Sequence, residues 1–264
     1  MGRFLKILKQ EANAILDLIS PRLCNVCGCV LSEHEKYICV KCYMDLPRTG
    51  YHKAKHSFLE ANYWGKIPIE RATAYFFYTE TNRPVLFDFK YHTMPGLGEH
   101  MAMLMAQEIC DESDFFKGID VIVPVPLHRK RKMMRGYNQC DYIARGIQHI
   151  TDIPICAEAV IRIVDNESQT NLTHQQREEN VANVFRCVHP ELLRGKHILL
   201  VDDVVTTGAT TRSCAKAILQ SLGEYNEEGL NLTASVKFSI LAFESSNFDF
   251  QFFIFSFNIC IFCF

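Results

Sequence analysis

From Arg71 onward the chain alternates short apolar runs with longer stretches of helical period. The runs "ATAYFFY", "IDVIVPV", "HILLV" and, late in the chain, "TASVKFSILAF" have the length and the β-branched or aromatic content of strands. Helical spacing of apolar residues falls near Val85–His92, Leu97–Glu112, Asn138–Ile150 and Thr210–Ser221. Strands alternating with helices of this length predict an α/β domain built on a parallel sheet flanked by helices. Ligands of such sheets bind beyond the carboxyl ends of the strands. The residues directly after each strand are therefore where chemistry is expected.

The first part of the chain has a different texture. Phe4, Leu8, Ile15, Leu16 and Ile19 alternate with Lys6, Lys9, Gln10 and Asp17, and Pro21 follows, which predicts an amphipathic helix over residues 1–20. Its polar face mixes both signs of charge, which favours packing on its own domain over membrane attachment. Residues 21–46 hold Cys24, Cys27, Cys29, Cys39 and Cys42 and little from which to build a core. The irregular stretch 47–66, with Gly50, His52, Lys53, Lys55 and His56, reads as a linker, and the α/β domain is expected over 67–243. Residues 244–264 contain eight phenylalanines between Phe248 and Phe264 and almost no charge. That tail falls short of the roughly 20 apolar residues of a spanning helix. No membrane span is expected, the tail is assigned no function, and aggregation is its expected hazard.

Composition narrows the class. With 264 residues, a formal net charge of -2 and 48% hydrophobic residues, the chain is an ordinary globular one, and a general basic field for nucleic acid is excluded. Its first residues, "MGRFLKILKQEANAILDLIS", lack the uninterrupted apolar stretch of a secretory signal, so a cytoplasmic location is expected. Closely spaced cysteines in a reducing compartment bind metal or stay reduced more often than they pair. Cys24-Asn-Val-Cys27 and Cys39-Val-Lys-Cys42 form two C-x2-C pairs eleven residues apart, with Gly28 permitting a tight turn after the first. Cys24, Cys27, Cys39 and Cys42 are therefore expected to hold a Zn2+ ion, with Cys29 an additional thiol close by. Nothing in the segment supplies an open coordination position or a base, so the site reads as structural, with a role as a docking surface left open. Cys110, Cys140, Cys156, Cys187 and Cys214 stand among apolar neighbours and read as buried small hydrophobes.

One strand end carries more chemistry than the others. In "HILLVDDVVTTGATT", an apolar run ends at Asp202 and Asp203 and then turns through Thr206, Thr207, Gly208, Ala209 and Thr210 into a helix. Paired carboxylates accept hydrogen bonds from vicinal hydroxyls, and amides at a helix start bind phosphate, which Gly208 lets approach the backbone. A ribose 5-phosphate meets both requirements. No Gly-Lys-Ser/Thr follows, and no G-x-G-x-x-G is present, so neither nucleotide fingerprint applies.

The stretch "ILLVDDVVTTGAT" resembles the phosphoribosyl pyrophosphate (PRPP) signature of type I phosphoribosyltransferases. Together with "VPVPLHRKRKMMRGYNQ", "SQTNLTHQQREENVANVF", "FKYH" around Lys90 and the upstream cysteines, it resembles the ComF family of competence-associated proteins. Members join a zinc-binding segment to a phosphoribosyltransferase domain, and the resemblance covers about residues 15–243. It implies a type I phosphoribosyltransferase-like parallel sheet and a PRPP ligand carried with Mg2+. It further implies that Asp202 and Asp203 hold the ribose hydroxyls and that Thr206, Thr207, Gly208, Ala209 and Thr210 hold the 5-phosphate. Leu127, His128, Arg129 and Lys130 would receive the pyrophosphate, and Arg177 lies in a segment corresponding to the loop that closes over the site.

Two readings follow from these residues. In the first, the protein is a phosphoribosyltransferase that displaces pyrophosphate at the anomeric carbon in favour of an acceptor the sequence does not identify. In the second, a catalytically idle PRPP-binding or single-stranded-DNA-binding module assists DNA import, passing DNA to competence or recombination proteins. The basic run "HRKRKMMR" bears on both, since it suits pyrophosphate, single-stranded DNA or a solvated face.

Overall fold

The computed structural model describes residues 21–54, 57–61, 63, 67, 69–77, 79, 94–165, 184–205 and 207–223, and beyond these the strands at 225–226, 229–230, 236–240, 242–243 and 261–262. The helices expected over 1–20 and near Val85–His92 lie outside the described residues.

In chain order the elements are α1 (Val40–Asp45), α2 (Phe58–Ala61), β1 (Ala72–Thr73), β2 (Phe76–Phe77), α3 (Pro95–Glu112), β3 (Val121–Pro124), α4 (Arg129–Arg135) and α5 (Gln139–Thr151). After these come β4 (Val160–Arg162), β5 (Phe185–Cys187), β6 (Ile198–Asp202), α6 (Ala209–Leu222), β7 (Tyr225–Asn226), β8 (Gly229–Leu230), β9 (Val236–Ile240), β10 (Ala242–Phe243) and β11 (Ile261–Phe262). The central sheet has the order β1-β9-β6-β3, every pair parallel. The expected α/β architecture is therefore present. All residues of β6 are buried, Asp202 included, because β9 and β3 flank the strand on both sides.

β3 ends in a proline that a central strand would not tolerate. It does so at the sheet edge, where Ile122 pairs outward with residues 154–156: its N–H donates to the Pro154 carbonyl (2.8 Å) and its carbonyl accepts from Cys156 (2.8 Å). Two residues on, Pro124 has no N–H to leave unsatisfied on that same edge. Helices α3 and α5 pack at close quarters across Gly146. A Cβ there would run into the Glu99 carbonyl and stand 2.6 Å from the Ala102 methyl, so only glycine permits the approach.

Several sequence expectations are corrected. The run "ATAYFFY" is two strands in different sheets, β1 beside β9 and β2 between β10 and β11. The interruption has a cause: Thr49 N–H donates to the Tyr75 carbonyl (3.0 Å), Phe77 N–H to the Pro47 carbonyl (2.8 Å), and the Thr49 hydroxyl bonds Ala74 O. The same contacts show that 47–66 is not a free linker. It carries α2 and the fully buried Leu59 and Tyr63. The basic run forms a separate short helix, α4, and β4 and β5 make an antiparallel hairpin outside the parallel pattern. Cys110 is exposed, whereas Cys140, Cys156, Cys187 and Cys214 are buried as expected. In the phenylalanine-rich tail, β11 runs antiparallel to β2.

The cysteine segment lies along α3. Asn25 Nδ2 donates to Met94 Sδ (3.3 Å), and the Tyr37 hydroxyl occupies the space a side chain at Gly96 would need. Near the other end, Tyr43 and Tyr75 share a hydroxyl hydrogen bond (2.9 Å) and Tyr75 bonds Glu108. Arg48 Nε lies 3.2 Å from the Glu108 carboxylate, with its guanidinium 4.4 Å from the Tyr43 ring centre. Among the described residues no helix is long and apolar enough to cross a membrane.

Candidate functional site

Beyond β6 the chain builds a small polar turn. Asp202 is 5% exposed, and its Oδ1 accepts from the Asp203 amide (2.9 Å) and faces the Cys140 thiol of α5 (3.7 Å). Asp203 is less deeply buried, and its Oδ1 accepts from the Val204 amide (2.8 Å). The two acids are thus held by the turn they begin. A small concavity open to solvent follows, lined by Asp202, Val204 and Val205 and by residues 207–211.

Gly208 is the N-cap of α6, in the left-handed region at φ 72°, with no acidic residue in the first turn behind it. The opening amides of a helix have no partner within it and carry the positive end of its dipole. Thr207, Gly208, Ala209 and Thr210 therefore line a concavity suited to an anion, with Asp202 at its other side. Thr206, the remaining member of the expected turn, lies outside the described residues. The Thr207 and Gly208 carbonyls are engaged elsewhere, the first by Arg212 Nη1 (2.6 Å) and the second by the Arg212 amide (2.9 Å).

The neighbouring strand end brings in the basic run. Leu127 and His128 are partly buried, and His128 caps α4 with its Nδ1 3.4 Å from Asp165 Oδ2. Arg131 Nε donates to Asp165 Oδ1 at 3.0 Å. Arg129 and Lys130 are exposed on α4, which buries none of its residues. Of the cations in the run, Arg131 is thus the one the structure ties back to Asp165. Arg177 lies outside the described residues, as does "FKYH" around Lys90.

A residue the sequence reading missed is Arg162, at the end of β4. Its Nε donates to the Val164 carbonyl (3.2 Å), and its guanidinium lies 5.5 Å from the Phe185 ring centre. Burial first, then Arg131, pulls the guanidinium below its ordinary value, while Asp202 and Asp165 oppose that shift. Arg131, Asp165, Arg162 and Asp202 therefore alternate in sign through one electrostatic neighbourhood. The only signal in the sequence was a cation within "VIRIVD", ahead of the polar loop.

The cysteine cluster closes around one point. Cys24, Cys27, Cys29 and Cys39 place their sulfurs within 4.8 Å of one another, and Cys42 reaches Cys27, Cys39 and Cys24. Cys27 Sγ and Cys39 Sγ are 3.8 Å apart. Sulfurs bound tetrahedrally at about 2.3 Å from zinc are separated by about 3.8 Å, so the spacing fits. The Cys39 amide donates to Cys24 Sγ (3.3 Å) and the Cys42 amide to Cys39 Sγ (3.4 Å). The Cys29 amide likewise bonds Cys27, whose thiol is lowered to about 6, while the contact with Cys27 raises Cys29 to about 12. Of the expected set, Cys24, Cys27 and Cys39 converge, and the fourth sulfur within 4.8 Å is that of Cys29 where the spacing predicted Cys42, which lies beside the group in contact with Cys27, Cys39 and Cys24.

Comparison with known proteins adds context. No family model matches the chain. DNA utilization protein YhgH of Escherichia coli strain K12 is 27% identical over 201 residues, spanning 75% of this chain and 85% of that protein. Competence protein F of Haemophilus influenzae is 31% identical over 138 residues, 51% of this chain and 60% of the relative. Competence protein ComFC of Bacillus subtilis strain 168 is 30% identical over 100 residues, 38% of each chain. Among solved structures, the glutamine PRPP amidotransferase from B. subtilis complexed with ADP and GMP is 18% identical with a TM-score of 0.35, the match covering 58% of this chain and 30% of that one.

Proposed function

We propose, from its likeness to DNA utilization protein YhgH and the competence proteins F and ComFC, that this chain is a ComF-family protein that binds PRPP with Mg2+ at the end of β6 and transfers the phosphoribosyl group during a cytoplasmic step of DNA uptake. One observation carries the reading: a buried strand ends at Asp202 and turns, past Asp203 and through a left-handed glycine, into a helix N-terminus that lines one concavity together with Asp202. Asp202 and Asp203 accept hydrogen bonds from the ribose hydroxyls, and the amides at Thr207, Gly208, Ala209 and Thr210, with Thr206, hold the 5-phosphate. His128 and Arg131, backed by Leu127, Arg129 and Lys130, receive the pyrophosphate, and Arg177 belongs to the segment that covers it.

In the displacement, the anomeric C–O bond to pyrophosphate breaks as the bond to the acceptor forms, and positive charge builds on the ribose ring. Asp202 stands close to that charge, with the Arg162 guanidinium in its electrostatic neighbourhood. The acidic pair supplies the oxygen ligands that a hard cation takes alongside substrate phosphates, so Mg2+ fits here. When bound, it neutralises the charge of the departing pyrophosphate. Zn2+ at the cysteine cluster takes no part in these steps and holds residues 21–46 together. A pyrophosphate-release assay with PRPP, Mg2+ and a panel of nucleobases tests the transfer: release that depends on one acceptor supports it, and PRPP binding without release from any acceptor removes it.

The second reading, a binding module that delivers single-stranded DNA to competence or recombination proteins, draws on α4. That helix exposes Arg129, Lys130 and Lys132 together with Met133 (75% exposed) and Met134 (86% exposed). Cations exposed along one short helix suit the phosphates of a single strand. Replacing Arg129, Lys130, Arg131 and Lys132 by alanine is expected to lower the salt dependence of single-stranded DNA binding by about two to three units of slope. An unchanged slope removes α4 as the contact.

A further inference from the structure

The turn after β6 is braced from behind by a residue almost 150 positions earlier in the chain (separation 148). Tyr63 is completely buried, and its hydroxyl lies 2.8 Å from Thr211 Oγ1. Thr211 is itself fully buried and donates its single hydroxyl hydrogen to the Gly208 carbonyl (2.9 Å). A threonine hydroxyl has one proton to give. Tyr63 must therefore be the donor in the first bond, which makes a one-way relay: Tyr63 O–H to Thr211 Oγ1, Thr211 O–H to the Gly208 carbonyl.

The ring also shapes the glycine. A Cβ at Gly208 would stand 2.9 Å from Tyr63 Oη, 3.1 Å from Cζ and 3.3 Å from Cε1. The tyrosine thus fills the side of the turn away from the solvent and fixes where the Gly208 carbonyl points. With that carbonyl drawn back toward Thr211 and the Arg212 amide, the helix-start amides are left for a ligand.

What holds Tyr63 is equally specific. Ser57 and Glu60 form a capping box around α2: the Glu60 amide donates to Ser57 Oγ (3.3 Å), and the Ser57 amide donates to Glu60 Oε2 (3.1 Å). The other oxygen, Glu60 Oε1, accepts from the Ala72 amide (3.1 Å) at the start of β1. The Tyr63 amide then donates to the Glu60 carbonyl (2.9 Å). The brace is anchored to the same sheet whose strand β6 presents Asp202.

We propose that Tyr63 is a positioning residue of the anion-binding turn, acting through Thr211 on the Gly208 carbonyl so that the amides of the turn are pre-aimed at a phosphate. The proposal rests on the PRPP reading given above. It assigns a positioning role to a residue that does not line the concavity, and it separates hydrogen bonding from packing at two positions.

Calorimetric titration of the full chain with PRPP and Mg2+ tests it, with urea unfolding measured on each variant. Tyr63→Phe keeps the ring and loses the proton; Thr211→Val keeps the shape and loses the hydroxyl; Thr211→Ser keeps the hydroxyl and loses a methyl. Expected are a weakening of PRPP binding by about five- to tenfold for Tyr63→Phe and for Thr211→Val, the scale of one lost hydrogen bond, and binding within twofold of wild type for Thr211→Ser. The double variant Tyr63→Phe/Thr211→Val is expected to bind no more weakly than either single one, because both cut one relay. A packing role alone gives the opposite order at position 211, with serine worse than valine, and overturns the proposal, as does wild-type affinity in both Tyr63→Phe and Thr211→Val. If Tyr63→Phe fails to fold, the order of the two Thr211 variants decides. A wild-type protein that does not bind PRPP overturns the functional reading itself, and the relay's role with it.

Discussion

Replacing Cys39 by serine is expected to reduce zinc from one ion per chain to near zero and to release residues 21–46 from the α/β domain. Cys39 is buried, places its Sγ 3.8 Å from that of Cys27, accepts the Cys42 amide as N-cap of α1, and donates its own amide to Cys24 Sγ. A structural zinc site of this kind supplies folding free energy on the order of 10 kcal/mol, and besides its cysteines the segment has only Leu31, Ile38 and Leu46 as buried apolar side chains to fall back on. Loss of the ion should then break the seam along α3, where Asn25 meets Met94 and where Tyr43 and Arg48 meet Tyr75 and Glu108. Metal analysis and hydrogen exchange check this together. The Gly28 amide, bonded to the Cys24 carbonyl, should exchange as in an unfolded chain while the amides of β6 stay protected. Retained protection of Gly28 in the metal-free protein contradicts the assignment.

Gly208→Ala is expected to weaken PRPP binding by about 30- to 100-fold, the equivalent of about 2–3 kcal/mol. Two costs combine. The left-handed backbone at φ 72° disfavours any side chain by about 1 kcal/mol, and the added carbon meets the buried Tyr63 hydroxyl at 2.9 Å with little room to withdraw. The turn must move, and the amides that aim at the phosphate move with it. Calorimetry reads the loss directly, and an affinity within twofold of wild type contradicts the role given to the turn.

The strands and helices nearest the site were legible because their apolar periodicity is uninterrupted. Ile198–Asp202 and Ala209–Leu222 differ by at most a residue or so from the runs that the sequence displays. The acidic pair and the glycine turn were legible for a local reason: strand, carboxylates, glycine and helix start follow one another within fifteen residues of sequence, His197 to Thr211. What escaped was non-local. Tyr63 sits in a stretch with no periodicity, and only the fold places its hydroxyl on Thr211. Arg162 belongs to a short hairpin whose charge partners come from β6 and from residue 165. The same holds for the break in "ATAYFFY", which is caused by hydrogen bonds to the Pro47 carbonyl and from Thr49 rather than by any breaker within the run. At the cysteines, spacing identified a metal site, but only the spatial convergence of the sulfurs brings Cys29 to its centre.

PRPP binding is tested most directly by one titration: PRPP with Mg2+ into the wild-type chain and into the Asp202→Asn/Asp203→Asn double variant, followed by calorimetry. One PRPP per wild-type chain, with binding reduced at least a hundredfold in the double variant by loss of two carboxylates from the ribose contacts, is the predicted result. A wild-type chain that gives no heat of binding, or a double variant that binds as the wild type does, contradicts it.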